Sequence, residues 1–211
     1  MTTSSPQELE VKFYLGHLDL FFDRLKQAQA ALLYPRVLET NLRFDTPAGE
    51  LSRTFQVLRL RQDTAARLTY KGPGTIQDGV RKRLELEFTV SDFAAAQALL
   101  EALGYQVALL YEKYRTTYTL ENVLVTLDEM PYGCFAEIEG PDGASIQHAA
   151  ARLGLDWERR SLESYVFLFD RLRQELGLTF RDLSFANFMH LSVTPDQLGL
   201  RDAVEESTNL R

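Results

Sequence analysis

Charged and apolar residues alternate along the strand-like segments of this chain, and this alternation constrains its fold more than any other feature. Residues 7 to 15 read QELEVKFYL. Side chains two residues apart in a strand point the same way, so Glu8, Glu10 and Lys12 share one face. Apolar residues occupy the opposite face. Taken alone, the segment is typical of an edge strand with one solvated face.

The same parity recurs in nearly every later strand-like segment, where it carries charges opposite a face rich in Leu, Val and Phe. Over the chain this parity holds seven acids and eight bases. The acids are Glu8, Glu10, Glu85, Glu87, Asp128, Glu137 and Glu139, and the bases are Lys12, Arg59, Arg61, Lys71, Arg81, Arg83, Lys113 and Arg115.

Period-two segments predict eight strands, and the turns between several of them are short. The strands are predicted over residues 7–14, 39–45, 54–62, 66–72, 80–90, 112–120, 123–129 and 134–139. Turns are predicted at Glu121-Asn122, at GPGTIQDG (72–79) and at MPYG (130–133). Consecutive strands with short turns predict an antiparallel sheet, and eight of them favour closure into a barrel.

Helical spacing predicts four amphipathic helices between these strands. They span residues 19–33, the segment from a Ser91 cap to Gly104, residues 146–153, and the segment from near Ser161 to Gly177. Such helices need an apolar sheet surface to pack on. The predicted fold class is therefore α+β, an eight-stranded antiparallel β-barrel with helices outside and charges lining the lumen. The alternative is an apolar interior with solvated charges.

Length and charge limit the organisation and the partners. The 211 residues, 45% of them hydrophobic, predict a single domain over 1–192 followed by a polar tail over 193–211. A net charge of -7 argues against a nucleic-acid or anionic-membrane surface. The single cysteine, Cys134, suits a reducing compartment, and MTTSSPQELE lacks the features of a secretory signal. We expect a cytoplasmic protein.

Fifteen ionisable groups in a lumen must be paired, hydrated or bound to ions, because burying isolated charges is costly. Clustered carboxylates favour a hard divalent cation. Convergent arginines and lysines favour a polyphosphate. The two together indicate phosphoryl chemistry.

An ordered series of motifs resembles the CYTH superfamily, the triphosphate tunnel metalloenzymes. The series begins with Glu8-x-Glu10-x-Lys12, which resembles the ExExK signature, and covers residues 7 to about 170. The other motifs are Phe44-Asp45-Thr46-Pro47, Leu58-Arg59-Leu60-Arg61, Thr69-Tyr70-Lys71-Gly72-Pro73, Arg83-x-Glu85-x-Glu87, Lys113-x-Arg115, Leu127-Asp128, Phe135-x-Glu137-Ile138-Glu139 and Ser164-Tyr165.

The resemblance implies a tunnel that binds a triphosphate and one or two Mg²⁺ or Mn²⁺ ions. The implied metal ligands are Glu8, Glu10 and Glu139, helped by Glu137 and Asp128. The implied phosphate-binding residues are Lys12, Arg59, Arg61, Lys71, Arg83, Lys113 and Arg115. Glu8, Glu10, Lys12 and Lys71 are the implied catalytic residues, and Arg81, Glu85, Glu87 and Tyr165 would support them.

The resemblance leaves the reaction open between several activities. A metal-dependent triphosphatase acting on tripolyphosphate, ATP or a similar molecule ranks first, and a class IV adenylyl cyclase ranks second. Thiamine triphosphatases of animals carry a Trp where this chain has Val57, which argues against that substrate. A non-catalytic polyphosphate-binding module would not need the acids. A second copy of the chain is a candidate partner.

Overall fold

The strands of this protein form one antiparallel sheet that closes on itself. The computed structural model describes residues 7–204. The strands are β1 Gln7–Leu15, β2 Ala31–Asp45, β3 Val57–Gln62, β4 Ala66–Lys71, β5 Thr75–Gln77, β6 Val80–Val90, β7 Gln106–Leu120, β8 Val123–Met130, β9 Gly133–Glu139 and β10 Arg160–Ser161.

Eight of these strands make the ring, in the order β1-β9-β8-β7-β2-β3-β4-β6. The ring closes where β6 pairs with β1, with Arg83 opposite Glu8 and Arg81 opposite Glu10. The two remaining strands are short: β5 pairs with β6 and β10 pairs with β1. The predicted eight-stranded antiparallel architecture is confirmed. In this ring β2 lies opposite β1, four strands away in either direction.

Four helices lie between strands and two follow the last strand, and most of the six begin at capping side chains. They are α1 Leu18–Gln27, α2 Glu50–Arg53, α3 Phe93–Ala102, α4 Gly143–Arg152, α5 Tyr165–Leu176 and α6 Phe185–Phe188. The side chains of Asp92, Asp142 and Ser164 accept hydrogen bonds from backbone N–H groups in the first turns of α3, α4 and α5. Such caps satisfy donors that have no partner within the helix. No helix within residues 7–204 has the length and apolarity to span a membrane.

Several predicted boundaries are wrong. The helix predicted over 19–33 ends at Gln27, because residues 31–33 belong to β2, where Ala31 and Leu32 pair with β7. A turn with Gln29 at φ 59° separates the two elements. The cap of α3 is Asp92 and not Ser91. The short strand β5 lies inside the predicted turn 72–79.

The hydrophobic core lies outside the ring, between the sheet and the helices. On the outer faces of β1, β8 and β9, Val11, Val125 and Ile138 are buried in the same cluster as Ile146 of α4. A second cluster packs α5 against the sheet, and a third joins α3 to β2 and β3. The apolar parity therefore faces outward, as the inverted arrangement predicts.

The predicted C-terminal tail packs against the rest of the protein over part of its length. Leu198 and Ala203 are buried, and Val204 forms a β-bridge with Leu155. The backbone N–H of Ala203 donates to the carbonyl oxygen of Tyr14 at 3.0 Å. The remainder of the predicted tail, 205–211, lies outside the described residues.

Candidate active site

The ring encloses a cavity of about 620 Å³ that every one of its eight strands helps to line. Of the fifteen ionisable groups predicted to face the lumen, all but Arg81 and Asp128 line this cavity. Asp128 is fully buried beneath residues that line the cavity, and Arg81 is partly buried. The alternation of the strands has therefore turned nearly the whole ionic parity inward.

One wall carries Glu8 and its basic partners. The Nζ atom of Lys71 lies 2.6 Å from Oε1 and 2.8 Å from Oε2 of Glu8. The Nε atom of Arg83 donates to Glu8 Oε2 at 3.0 Å, and Lys71 also lies 3.0 Å from Glu85 Oε2. Burial lowers the pKa of Lys71, yet Glu8, Glu10 and Glu85 together raise it above its usual value. Lys71 is therefore held as a cation.

The same end of the lumen has an excess of acid. Glu139 lies opposite Glu10 in the pairing of β9 with β1. Burial and the neighbouring carboxylates of Glu8, Glu85 and Glu10 raise the pKa of Glu139 to about 7. A carboxyl group with such a pKa reports a local negative field that the nearby bases do not fully neutralise.

A second ionic cluster joins β7, β8, β9 and α5 around Asp128. This carboxylate accepts hydrogen bonds from Lys113 Nζ at 2.8 Å, Arg115 Nε at 2.6 Å and the Tyr165 hydroxyl at 2.9 Å. Tyr165 begins α5 and places its ring 5.0 Å from the Nζ atom of Lys12. Asp128 therefore positions two bases and a lumen-facing tyrosine, and its oxygens are already engaged by protein donors.

Glu137 links this cluster to β1. Its carboxylate lies 3.2 Å from Lys12 Nζ and 2.5 Å from Arg115 Nη2. Burial opposes ionisation, but Lys12, Arg115 and Lys113 hold the pKa of Glu137 well below its usual value. Glu137 is therefore ionised at neutral pH.

A third group of lumen residues was not found from the sequence. Glu39 and Arg43 of β2 and Tyr111 of β7 also line the cavity. Glu39 lies 3.4 Å from Arg61 and 3.5 Å from Lys113. Burial raises its pKa, but Lys113, Arg115 and Arg61 lower it to about 2 overall.

A signal for these residues was present in the sequence. Glu39, Asn41 and Arg43 share one parity of the predicted strand 39–45, and Tyr111 precedes Lys113 by two residues at the same parity. The signal in β2 was weak, because only Glu39 and Arg43 are ionisable and the amide of Asn41 lies between them. Tyr111 was missed because it lies outside the predicted strand 112–120. The position of β2 opposite β1 became evident only from the closed ring.

Arg59 spans the lumen side of β3 and is held by several neighbours. It donates to the Tyr111 hydroxyl at 3.3 Å, to Thr69 Oγ1 at 3.2 Å and to Glu87 at 3.4 Å. Burial raises the pKa of Tyr111, but Arg59 and Lys113 lower it below the usual value overall. The arginine is therefore oriented before any ligand binds.

Some buried polar atoms of the lumen have no hydrogen-bond partner. Among the described residues these include the Nε atom of Arg59 and both amide atoms of Asn41, whose side chain is fully buried. Buried polar groups are nearly always satisfied in folded proteins. These atoms therefore point to a ligand or ordered water inside the ring.

The arrangement of the lumen acids bears on whether they could hold a metal ion. Within residues 7–204 no group of three or more His, Cys, Asp or Glu side chains is arranged to hold a metal ion. Most of the acids instead form ion pairs with bases. The donor chemistry of Glu8, Glu10 and Glu139 nevertheless fits a hard divalent cation, and the raised pKa of Glu139 reports a net negative field beside it.

The closed antiparallel sheet and its ion-lined lumen define the class of protein as a charged β-tunnel. The chain belongs to the CYTH domain family, whose sequence profile matches residues 6–164. The resemblance drawn from the ordered motifs is therefore confirmed. No curated protein sequence matches the chain.

Solved structures share this fold. A Vibrio parahaemolyticus protein, named provisionally as an adenylate cyclase, is 23% identical with a TM-score of 0.69, and the match covers 77% of this chain and 97% of that one. A Pyrococcus horikoshii protein is 27% identical with a TM-score of 0.63 over 78% and 99% of the two chains. A Hippeastrum protein, named provisionally as an adenylyl cyclase with a dominant triphosphatase activity, is 20% identical with a TM-score of 0.56 over 92% and 100%.

Proposed function

We propose that this protein is a divalent-metal-dependent triphosphatase that binds a triphosphate in its lumen and hydrolyses a phosphoanhydride bond. The observation that supports the proposal is the convergence of seven bases and an acid cluster in one enclosed cavity. Phosphoryl transfer requires mainly positioning and charge stabilisation from a protein. An enclosed ionic lumen supplies both.

The phosphate chain would contact bases on five strands of the ring, β1, β3, β4, β6 and β7. These bases are Lys12, Arg59, Arg61, Lys71, Arg83, Lys113 and Arg115, all of which line the cavity. Arginine forks pair with phosphate oxygens in two-point contacts, whereas lysine acts as a compact charge. Each base is already oriented by an acid or a hydroxyl, so little ordering remains when the ligand enters.

Glu8, Glu10 and Glu139 would hold Mg²⁺ or Mn²⁺, helped by Glu137 and Asp128. When bound, such an ion polarises phosphate oxygens and activates water. In this arrangement Lys71 and Arg83 stabilise charge that develops on the phosphate oxygens. Glu85 keeps Lys71 in place through its contact at 3.0 Å, and Arg81, Glu87 and Tyr165 support the other bases.

A class IV adenylyl cyclase is the second candidate. The Vibrio parahaemolyticus structure that shares the fold carries a cyclase name, and the same lumen could place a ribose hydroxyl beside the α-phosphate. Thiamine triphosphate is less well supported, because the lumen presents the aliphatic Val57 at the position of the stacking Trp. A cytoplasmic location and pairing with a second copy remain predictions.

Product analysis tests the proposal. Purified protein is incubated with ATP or tripolyphosphate and Mg²⁺ or Mn²⁺, and parallel samples contain EDTA. We expect orthophosphate release that EDTA abolishes. Formation of cyclic AMP and pyrophosphate from ATP would show that the protein is an adenylyl cyclase and not a triphosphatase. Binding of both ligands without any product would identify a non-catalytic module.

A further inference from the structure

Strand β2 carries three register shifts in its pairing with β7, and two of them flank Tyr34. The register shifts between Leu32 and Tyr34 and again between Tyr34 and Val37. Strict alternation from Glu39 would turn Tyr34 to the outside of the ring. Bulges of this kind redirect side chains, and Tyr34 instead lies opposite the lumen residue Thr117 and lines the cavity.

The register shifts place an apolar arc on one side of the open end of the lumen. Tyr34, Pro35 and Val37 of β2 and Leu124 of β8 line the cavity there. The Tyr34 side chain is 61% exposed, so its ring is accessible from solvent.

The opposite side of the same mouth is ionic. Arg67 of β4 and Glu87 of β6 line it, and Glu87 is exposed. Glu139 lies instead at the edge of the apolar arc, because it is paired with Leu124 where β9 meets β8. The mouth therefore offers an apolar arc and an ionic arc above a lumen full of bases. An inorganic polyphosphate has no apolar part and would gain nothing from the first arc.

We propose that Tyr34, with Pro35, Val37 and Leu124 beside it, forms a subsite for the heterocycle of a nucleoside triphosphate whose phosphate chain occupies the lumen. This inference rests on the proposed function and narrows its substrate to nucleoside triphosphates. Stacking on an aromatic side chain accepts any nucleobase, because every base has a π-face. The subsite should therefore distinguish triphosphates that carry a base from those that lack one, without distinguishing one base from another.

The experiment compares substrates with and without a base. Rates are measured with Mg²⁺ for ATP, UTP and tripolyphosphate, using wild type, Tyr34→Ala and Tyr34→Phe. A matched control is Phe88→Ala, since Phe88 is 59% exposed and does not line the cavity. We expect Tyr34→Ala to raise KM for ATP and UTP about tenfold, as for loss of one base stack. The KM of Tyr34→Ala for tripolyphosphate should stay close to the wild-type value. The KM values of Tyr34→Phe and of Phe88→Ala should stay close to wild type for all three substrates.

Equal effects of Tyr34→Ala on ATP and tripolyphosphate, or no effect on either, would overturn the subsite. If wild type turns over none of the three, the proposed hydrolase fails, and calorimetric titration with ATP and tripolyphosphate decides the subsite separately. A tenfold fall in the ATP-to-tripolyphosphate affinity ratio in Tyr34→Ala supports it, and an unchanged ratio refutes it. Failure of both molecules to bind overturns both proposals.

Discussion

The Nζ atom of Lys71 lies 2.6 Å from Oε1 of Glu8, although the two residues are 63 positions apart in the chain. Their side chains are 9% and 7% exposed. The contact joins β4 to β1 across β6, so it forms only when the ring closes. Buried pairs of this kind depend on both partners, because removal of one leaves an uncompensated charge.

We expect strong energetic coupling between Glu8 and Lys71. In a double-mutant cycle, Glu8→Gln and Lys71→Met should each cost about 3 kcal/mol or more of unfolding free energy. Their coupling energy should exceed about 1 kcal/mol. The control cycle uses Arg36 and Glu129, which also lie 2.6 Å apart but are 50% and 25% exposed. Denaturant unfolding measures the coupling energy in both cycles. Equal coupling energies would refute the claim that burial in the lumen strengthens the pair.

Glu10→Gln should abolish turnover while sparing the fold, because Glu10 is a proposed metal ligand. Even partners that only support metal ligands alter activity by about 10- to 100-fold, so a loss of at least about 100-fold is expected. Initial rates over a metal titration and thermal unfolding check this. Glu158→Gln is the control, since its side chain is 84% exposed. Retained activity in Glu10→Gln would show that the metal assignment is wrong.

Arg59→Ala should raise KM for the triphosphate about 10- to 100-fold, the range for loss of a charged hydrogen bond. Arg59→Lys should recover part of the affinity, because it keeps the charge and loses the planar fork. Steady-state kinetics separate KM from kcat, and Arg36→Ala serves as an exposed arginine control. An unchanged KM with a normal kcat in Arg59→Ala would count against phosphate binding by this residue.

Glu39 should make stability depend on acid pH. Its pKa falls from an ordinary 4.5 to about 2 in the folded protein. The ionised carboxylate therefore makes its full contribution to stability at pH values above the pKa of the unfolded chain. That contribution is lost as pH falls from 4.5 towards 2. Glu39→Gln should therefore cost about 3 kcal/mol near pH 7 and much less near pH 2. Urea unfolding of both proteins across this range tests it, and a pH-independent difference would contradict it.

Ile138→Ala should destabilise the protein by about 2 to 5 kcal/mol. Ile138 is fully buried outside the ring, in the cluster that α4 covers, so truncation leaves a cavity there. Ile76→Ala is the matched control, because Ile76 is 69% exposed and should change stability by less than about 0.5 kcal/mol. Similar small effects for both variants would mean that the core does not lie outside the sheet.

Much of the ring could be predicted from the sequence. Period-two segments identify all eight ring strands, and the parity shared by Glu8, Arg59 and Glu137 identifies most of the lumen. Such local patterns suffice because alternation along a strand assigns each side chain to one face or the other.

Other features depended on contacts between distant segments. Residues 31–33 continue a helical pattern, yet they belong to β2, where Ala31 and Leu32 pair with β7. Pairing with another strand overrides local helical periodicity. Tyr34 reaches the lumen only through register shifts, which alternation cannot indicate. Arg81 and Asp128 share the ionic parity but do not line the cavity.

The sequence by itself determined the inverted polarity of this protein, with ionic side chains on one parity and apolar side chains on the other. It also determined which residue types the lumen would contain. Only the tertiary structure decided which acid meets which base, as for Glu8 with Lys71 or Asp128 with Lys113. The reason is that a side chain's face follows from its own strand, whereas its neighbours follow from strand order, register and closure.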